Sequence, residues 1–229
     1  MSDWWTEWQT YALSDLLMFS KQAYFRLFEL HNLALWPAQL VALAAGILLM
    51  LCLQRGGDRA GRHAAALLAL AFLSVAWSYF AGRYATINTA APYYAIAFAV
   101  QAVLLLWLAS RRAAARLTPP IGSLAKLALG IALLALLAFP LLAPLGGRPW
   151  TQAELFGLAP DPTVALTFGA LLLWRAGWML WIVPLLWCAV TGATLMELGS
   201  GQAWVLPGIA LVALALGATA SMRARLASR

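Results

Sequence analysis

Long apolar runs separated by short polar groups fill this chain from residue 36 to residue 222. A hydrocarbon core of about 30 Å takes roughly 20 apolar residues as α-helix, so runs near that length bounded by Pro, Gly or charge read as membrane spans. Six runs have the full length: 36–54, 64–82, 91–110, 123–144, 178–196 and 203–222. A seventh, 162–175, would reach only about 20 Å at 1.5 Å per residue. The pattern predicts an all-α polytopic membrane helix bundle of about seven transmembrane helices, with the short run as its anomaly.

Residues 1–35 follow another pattern. Asp15, Lys21, Arg26 and Glu29 interrupt an otherwise aromatic segment. Gln22, Arg26 and Glu29 share one helical face, opposite Phe25, Phe28 and Leu35, which predicts an amphipathic segment lying on the membrane surface. Ser14 is placed to cap a helix beginning SDLLMF, and Pro37 suits the first turn of the first span.

Charge then orients the spans. With seven crossings and the N-terminus outside, Arg55, Arg59, Arg62, Arg111, Arg112, Arg116, Lys126 and Arg175 face the cytoplasm, followed by the basic tail 223–229. Only Lys21, Arg26, Arg83 and Arg148 remain outside, as the positive-inside rule requires. A re-entrant seventh run would export the C-terminal arginines, so N outside and C inside is the expected topology. Trp36, Trp150 and Trp204 fall at outer ends and Trp107, Trp174 and Trp178 at inner ends, as interfacial belts do. The opening MSDWWTEWQT lacks a basic region ahead of an apolar core, so insertion is expected to rely on the spans themselves.

Composition sharpens the class. The chain is 64% hydrophobic and 10% charged with a mean hydropathy of +0.82, against about 25% charged residues in soluble domains. Its net charge of +7 would suit nucleic acid, but the basic residues sit in short groups between apolar runs. The expected environment is therefore a lipid bilayer, not nucleic acid.

Few residues suggest chemistry. His31 and His63 are the two histidines and Cys52 and Cys188 the two cysteines; none has ligand spacing, and the cysteines read as small packing residues. No phosphate-binding loop or nucleophile elbow occurs, and the last span lacks the lysine of a retinal pigment, so no enzyme activity, metal or cofactor is expected. Lys126 reads as a snorkelling residue and Arg83 as an interfacial one. Polar side chains that would line a pathway or join helices are Gln39, Gln101, Thr191, Thr194 and Glu197, the last three on one face with Cys188. Ala38, Ala42 and Gly46, Ser74, Ser78 and Gly82, and Ala91, Ala95 and Ala99 form small-residue stripes suited to close helix contact, while Pro140, Pro144 and Pro184 interrupt helix hydrogen bonding. Asp161, between Pro160 and Pro162, reads as an N-cap with Pro162 at the first helical position; the competing reading is an ion site. Thr151 and Glu154 before it have capping-box spacing for a short interfacial helix.

The stretches YALSDLLMFSKQAYFRLFELHNLALWPAQL, PDPTVALTFGALLLW and WIVPLLWCAVTGA together resemble a family of uncharacterised bacterial multi-pass membrane proteins, some loosely labelled permeases. The resemblance covers nearly the whole chain and implies a protein of the bacterial cytoplasmic (inner) membrane without supplying an activity. In that family the residue between the two prolines is often Cys; Asp161 here replaces a soft thiolate with an oxygen acid.

Two functions follow as expectations. One is permease-like transport of a small solute or ion whose identity these residues do not name. The alternative is an accessory or scaffold protein that docks a second membrane protein or a copy of itself. A polar passage reaching Gln101, Thr191 or Thr194 would support transport, and a filled bundle would count against it.

Overall fold

The computed structural model describes residues 19–111 and 122–227. Ser14 lies outside the described residues, as do Arg112, Arg116 and Arg229. Among the described residues there are eight α-helices and no strand: α1 Lys21–Ala34, α2 Ala38–Arg55, α3 Gly57–Ser74, α4 Ala91–Ser110, α5 Ser123–Leu145, α6 Pro160–Trp174, α7 Met179–Glu197 and α8 Val205–Ala227. A π-helical turn, Val75–Ala81, continues α3.

Helix α1 is short because polar residues punctuate it, and it starts where the Ser20 hydroxyl accepts from the Ala23 N–H at 3.2 Å. It buries Tyr24, Phe25, Leu27, Phe28 and His31 and leaves Gln22 and Arg26 exposed. Its buried stripe thus includes Phe25 and Phe28 as the periodicity predicts, while Leu35 lies just beyond the helix. Pro37 takes the cap position of α2 rather than its first turn.

Helices α2, α3 with its extension, α4, α5, α7 and α8 are long and apolar enough to cross a membrane. They leave Val41, Trp77, Val103, Leu134 and Leu211 exposed, which suits lipid and would be costly in water. The chain is a polytopic helical membrane bundle.

Helix α6 is the seventh, short run, and every residue from Pro160 to Trp174 is buried. Leu158, just before it, meets His31 of α1, while Arg175, just after it, shares a cavity wall with Leu124 at the start of α5 and Ser221 late in α8. Helix α6 therefore runs antiparallel to α5 through the middle of the bundle. Its length needs no thinned bilayer, because the apolar surroundings it matches are other helices. Arg175, in the left-handed conformation with φ 49°, ends it by donating its N–H to the last turn. One expectation fails here: Trp174 is buried at 6% exposure and belongs to no interfacial belt, whereas Trp36, Trp107, Trp150, Trp178 and Trp204 are exposed.

The most extensive helix pair is α5 with α6. The two backbones come close at Gly169, where an added Cβ would lie 2.5 Å from the Ala128 carbonyl oxygen and 2.9 Å from the Ala132 Cβ. Without a hydrophobic driving force between helices in lipid, such close backbone approach contributes to holding the pair.

Candidate functional site: a buried acid and aromatic cluster

Asp161 lies in the first turn of α6 and is 5% exposed. Its carboxylate turns sideways to α7, where the Trp187 indole N–H donates to Oδ1 at 2.7 Å and the Thr191 hydroxyl donates to Oδ2 at 3.1 Å. Trp187 and Thr191 are four residues apart and so share a helix face, which lets a single carboxylate meet both. The Trp187 ring is held edge-on by Phe80, Tyr94 and Phe98 at 5.0, 5.4 and 5.6 Å, fixing the donor's direction.

This arrangement corrects the N-cap reading of Asp161. The cap residue is Ala159, Pro160 takes the first helical position, and Asp161 makes no capping bond. Pro160 lacks an N–H, so the helix starts there without loss, two residues earlier than its second proline suggests. The local work falls to Thr163, whose hydroxyl accepts from the Gly157 N–H at 2.9 Å and donates to the Ala159 carbonyl at 2.8 Å.

The capping box is also corrected. Trp150–Gln152 is a single 3-10 turn, and the Thr151 and Ala153 carbonyls accept from the Asn32 side chain of α1 instead. Glu154 points inward, 6% exposed, with Oε2 lacking a hydrogen-bond partner. Burial, and then the nearby Asp161, hold its carboxyl well above the ordinary carboxylate range, while the Arg148 guanidinium opposes the shift. Above it lies α1. His31 Nε2 bonds the Leu158 carbonyl at 3.1 Å, and burial lowers the imidazole pKa to about 4. The neutral ring therefore carries its proton on Nε2, since a carbonyl can only accept. Tyr79 packs on Phe28 and His31 at 5.1 and 5.6 Å, closing the cluster from α1.

Other polar residues have separate partners. Gln39 donates to the Asn32 carbonyl at 2.6 Å, Thr194 is half-buried, and Glu197 is exposed at the end of α7. Gln101 is fully buried on α4 and donates to the Leu180 carbonyl of α7 at 3.1 Å. That carbonyl is free because Pro184, four residues on, has no N–H to offer it. Gln101 thus serves as the donor the proline removed. Thr191 joins Asp161, but Gln101, Thr194 and Glu197 do not join that contact. Cys52 and Cys188 are free and buried.

Gln101→Leu is expected to cost about 1–2 kcal/mol, and much less in a Pro184→Ala background, where an N–H returns to Leu180. Thermal unfolding of the four proteins in detergent checks this; equal costs in both backgrounds would remove the proposed link.

Among the described residues, no group of three or more His, Cys, Asp or Glu is gathered to hold a metal ion. The cluster fixes α6 to α7 through Asp161 and encloses a second acid, Glu154.

A family model of unknown function, DUF6064, matches residues 21–228. The chain belongs to the DUF6064 family. No curated protein and no solved structure matches it. The DUF6064 match begins at Lys21, the first residue of α1, so this surface helix lies within the family domain along with the bundle it covers. In the DUF6064 chain, Trp187 and Tyr79, the aromatic neighbours of the acids, carry no motif that marks them as such. The available signal was modest: Trp187 and Thr191 four apart in an apolar span, with Asp161 in the short run just before it.

Proposed function

We propose that this DUF6064 protein is a non-transporting membrane component, an accessory or scaffold whose working surface is the face covered by α1. The observation that carries this reading is α6: a helix buried along its whole length occupies the centre of the bundle, where a passage would have to run. The Gln101 amide N–H is spent on Leu180 and Thr191 on Asp161, which leaves the Gln101 Oε1 buried inside the bundle without a partner. None of Gln101, Thr191 and Thr194 lines the cleft beside α1, the cavity beside Arg175 or the cavity beside Arg55. We place the protein, on its resemblance and charge pattern, in a bacterial inner membrane with α1 outside.

Permease-like transport is the second reading, and the buried acids Asp161 and Glu154 favour it, since ionisable groups enclosed in membrane proteins commonly mark ion or proton sites. Proteoliposomes decide between the two. The accessory reading expects no uptake beyond protein-free liposomes across a panel of ions, amino acids and sugars, with and without a pH gradient. Uptake that Asp161→Asn abolishes would replace it with the second.

A further inference from the structure

A cleft of about 900 Å³ opens on the α1 face, between α1, the loop after α5 and the start of α8. Its wall carries Lys21, Arg26 and Arg148 against one carboxylate, Glu29. Glu29 is already engaged, 2.6 Å from Arg26 and accepting from Gln152 at 3.2 Å, so Lys21 and Arg148 are the cations left for a ligand.

Arg148 is held in place before anything binds. Its guanidinium lies 3.7 Å over the Phe25 ring, Nη2 donates to Gln202 at 2.9 Å, and Nη1 is buried without a partner. Burial raises the pKa of Glu154 behind it, which favours the uncharged acid and weakens its opposition to the Arg148 charge. Lys21 Nζ donates to the Gly199 carbonyl at 3.0 Å, which uses one of its three protons. Lys21 keeps two protons for an anion, and Arg148, already fixed on the same cleft wall, adds its positive charge at little ordering cost.

The other wall is apolar. Leu145, 80% exposed, and Val205 stand at the last turn of α5 and the first of α8, the ends of two spans and thus the level where a membrane meets water. A free inorganic anion has no use for that wall, whereas a lipid places phosphate and acyl chain across this boundary.

We infer that this cleft binds the phosphate headgroup of an anionic phospholipid, with Arg148 and Lys21 on the phosphate and Leu145 and Val205 along the first carbons of the chain. The site adjoins the acid cluster where Arg148 stands in front of Glu154, but it does not depend on whether the protein transports.

Native mass spectrometry of the purified full chain, from micelles holding equal phosphatidylglycerol and phosphatidylcholine, tests the assignment. Wild type should retain phosphatidylglycerol by roughly tenfold over phosphatidylcholine. Lys21→Gln, at an exposed position where folding is not at stake, and Arg148→Gln should each lose most of that preference, while Arg111→Gln on the opposite face keeps it. Millimolar inorganic phosphate should fail to displace the lipid. Equal retention of the two lipids, an unchanged preference in Lys21→Gln, an equal loss in Arg111→Gln, or displacement by inorganic phosphate would each overturn the inference.

Discussion

Asp161→Ala is expected to lower the unfolding free energy of this DUF6064 protein by about 2–6 kcal/mol, because it strands two buried donors at about 1–3 kcal/mol each. Those donors are the Trp187 indole and the Thr191 hydroxyl, held at 2.7 and 3.1 Å. Asp161→Asn should recover part of the loss, since its amide oxygen can still accept from one of the two. Thr191→Val should lose less than Asp161→Ala, because Trp187 then keeps its acceptor. Thermal unfolding in detergent, followed by circular dichroism, measures all three. A melting temperature for Asp161→Ala equal to or above wild type would reverse the sign. The cost of enclosing a charge would then exceed the value of its hydrogen bonds, and Asp161 would be a group the fold carries for function.

The second large effect is expected at Gly169. Alanine at an ordinary helix position gains up to about 1 kcal/mol over glycine, but here its Cβ would sit 2.5 Å from the Ala128 carbonyl oxygen and 3.1 Å from the Ala132 backbone nitrogen. Backbone cannot rotate away, so α5 and α6 must part. Gly169→Ala should cost about 1–3 kcal/mol and Gly169→Val more. Two other glycines calibrate the result. At Gly130 of α5 an added Cβ meets nothing within 4 Å, so Gly130→Ala should stabilise. At Gly46 of α2 the obstacle is the end of the Leu136 side chain, which can turn aside, so Gly46→Ala should be close to neutral. If Gly169→Ala melts with Gly130→Ala, the tight seam between α5 and α6 is absent.

These residues mark the reach of sequence reading. The stripe through Gly46 was visible as a four-residue spacing of small side chains, and Gly46 does face Leu136 of α5. The seam through Gly169, Ala128 and Ala132 was not, because Ala-rich helices offer many such spacings and composition does not say which of them face one another. Gln101 was legible as a buried amide joining helices; that its acceptor is the carbonyl freed by Pro184 needed the two helices side by side. The amphipathic character of α1 came from periodicity, but Tyr24, Leu27 and His31 widen the buried stripe because the helix packs against the segment before α6 as well as against the bundle.

The sequence by itself determined that this is an all-helical membrane protein, where its long helices fall, and that a surface helix precedes them. These are local properties: about 20 apolar residues suffice to mark a span, whatever the rest of the chain does. Only the tertiary structure decided that the short run is the enclosed centre of the bundle. The same is true of Asp161, which ties α6 to α7 instead of capping its own helix, and of Arg148, which meets Phe25 and Gln202. Each depends on which faces of distant helices meet, and in an apolar environment hydrophobicity no longer distinguishes one face from another, so periodicity leaves that choice to packing.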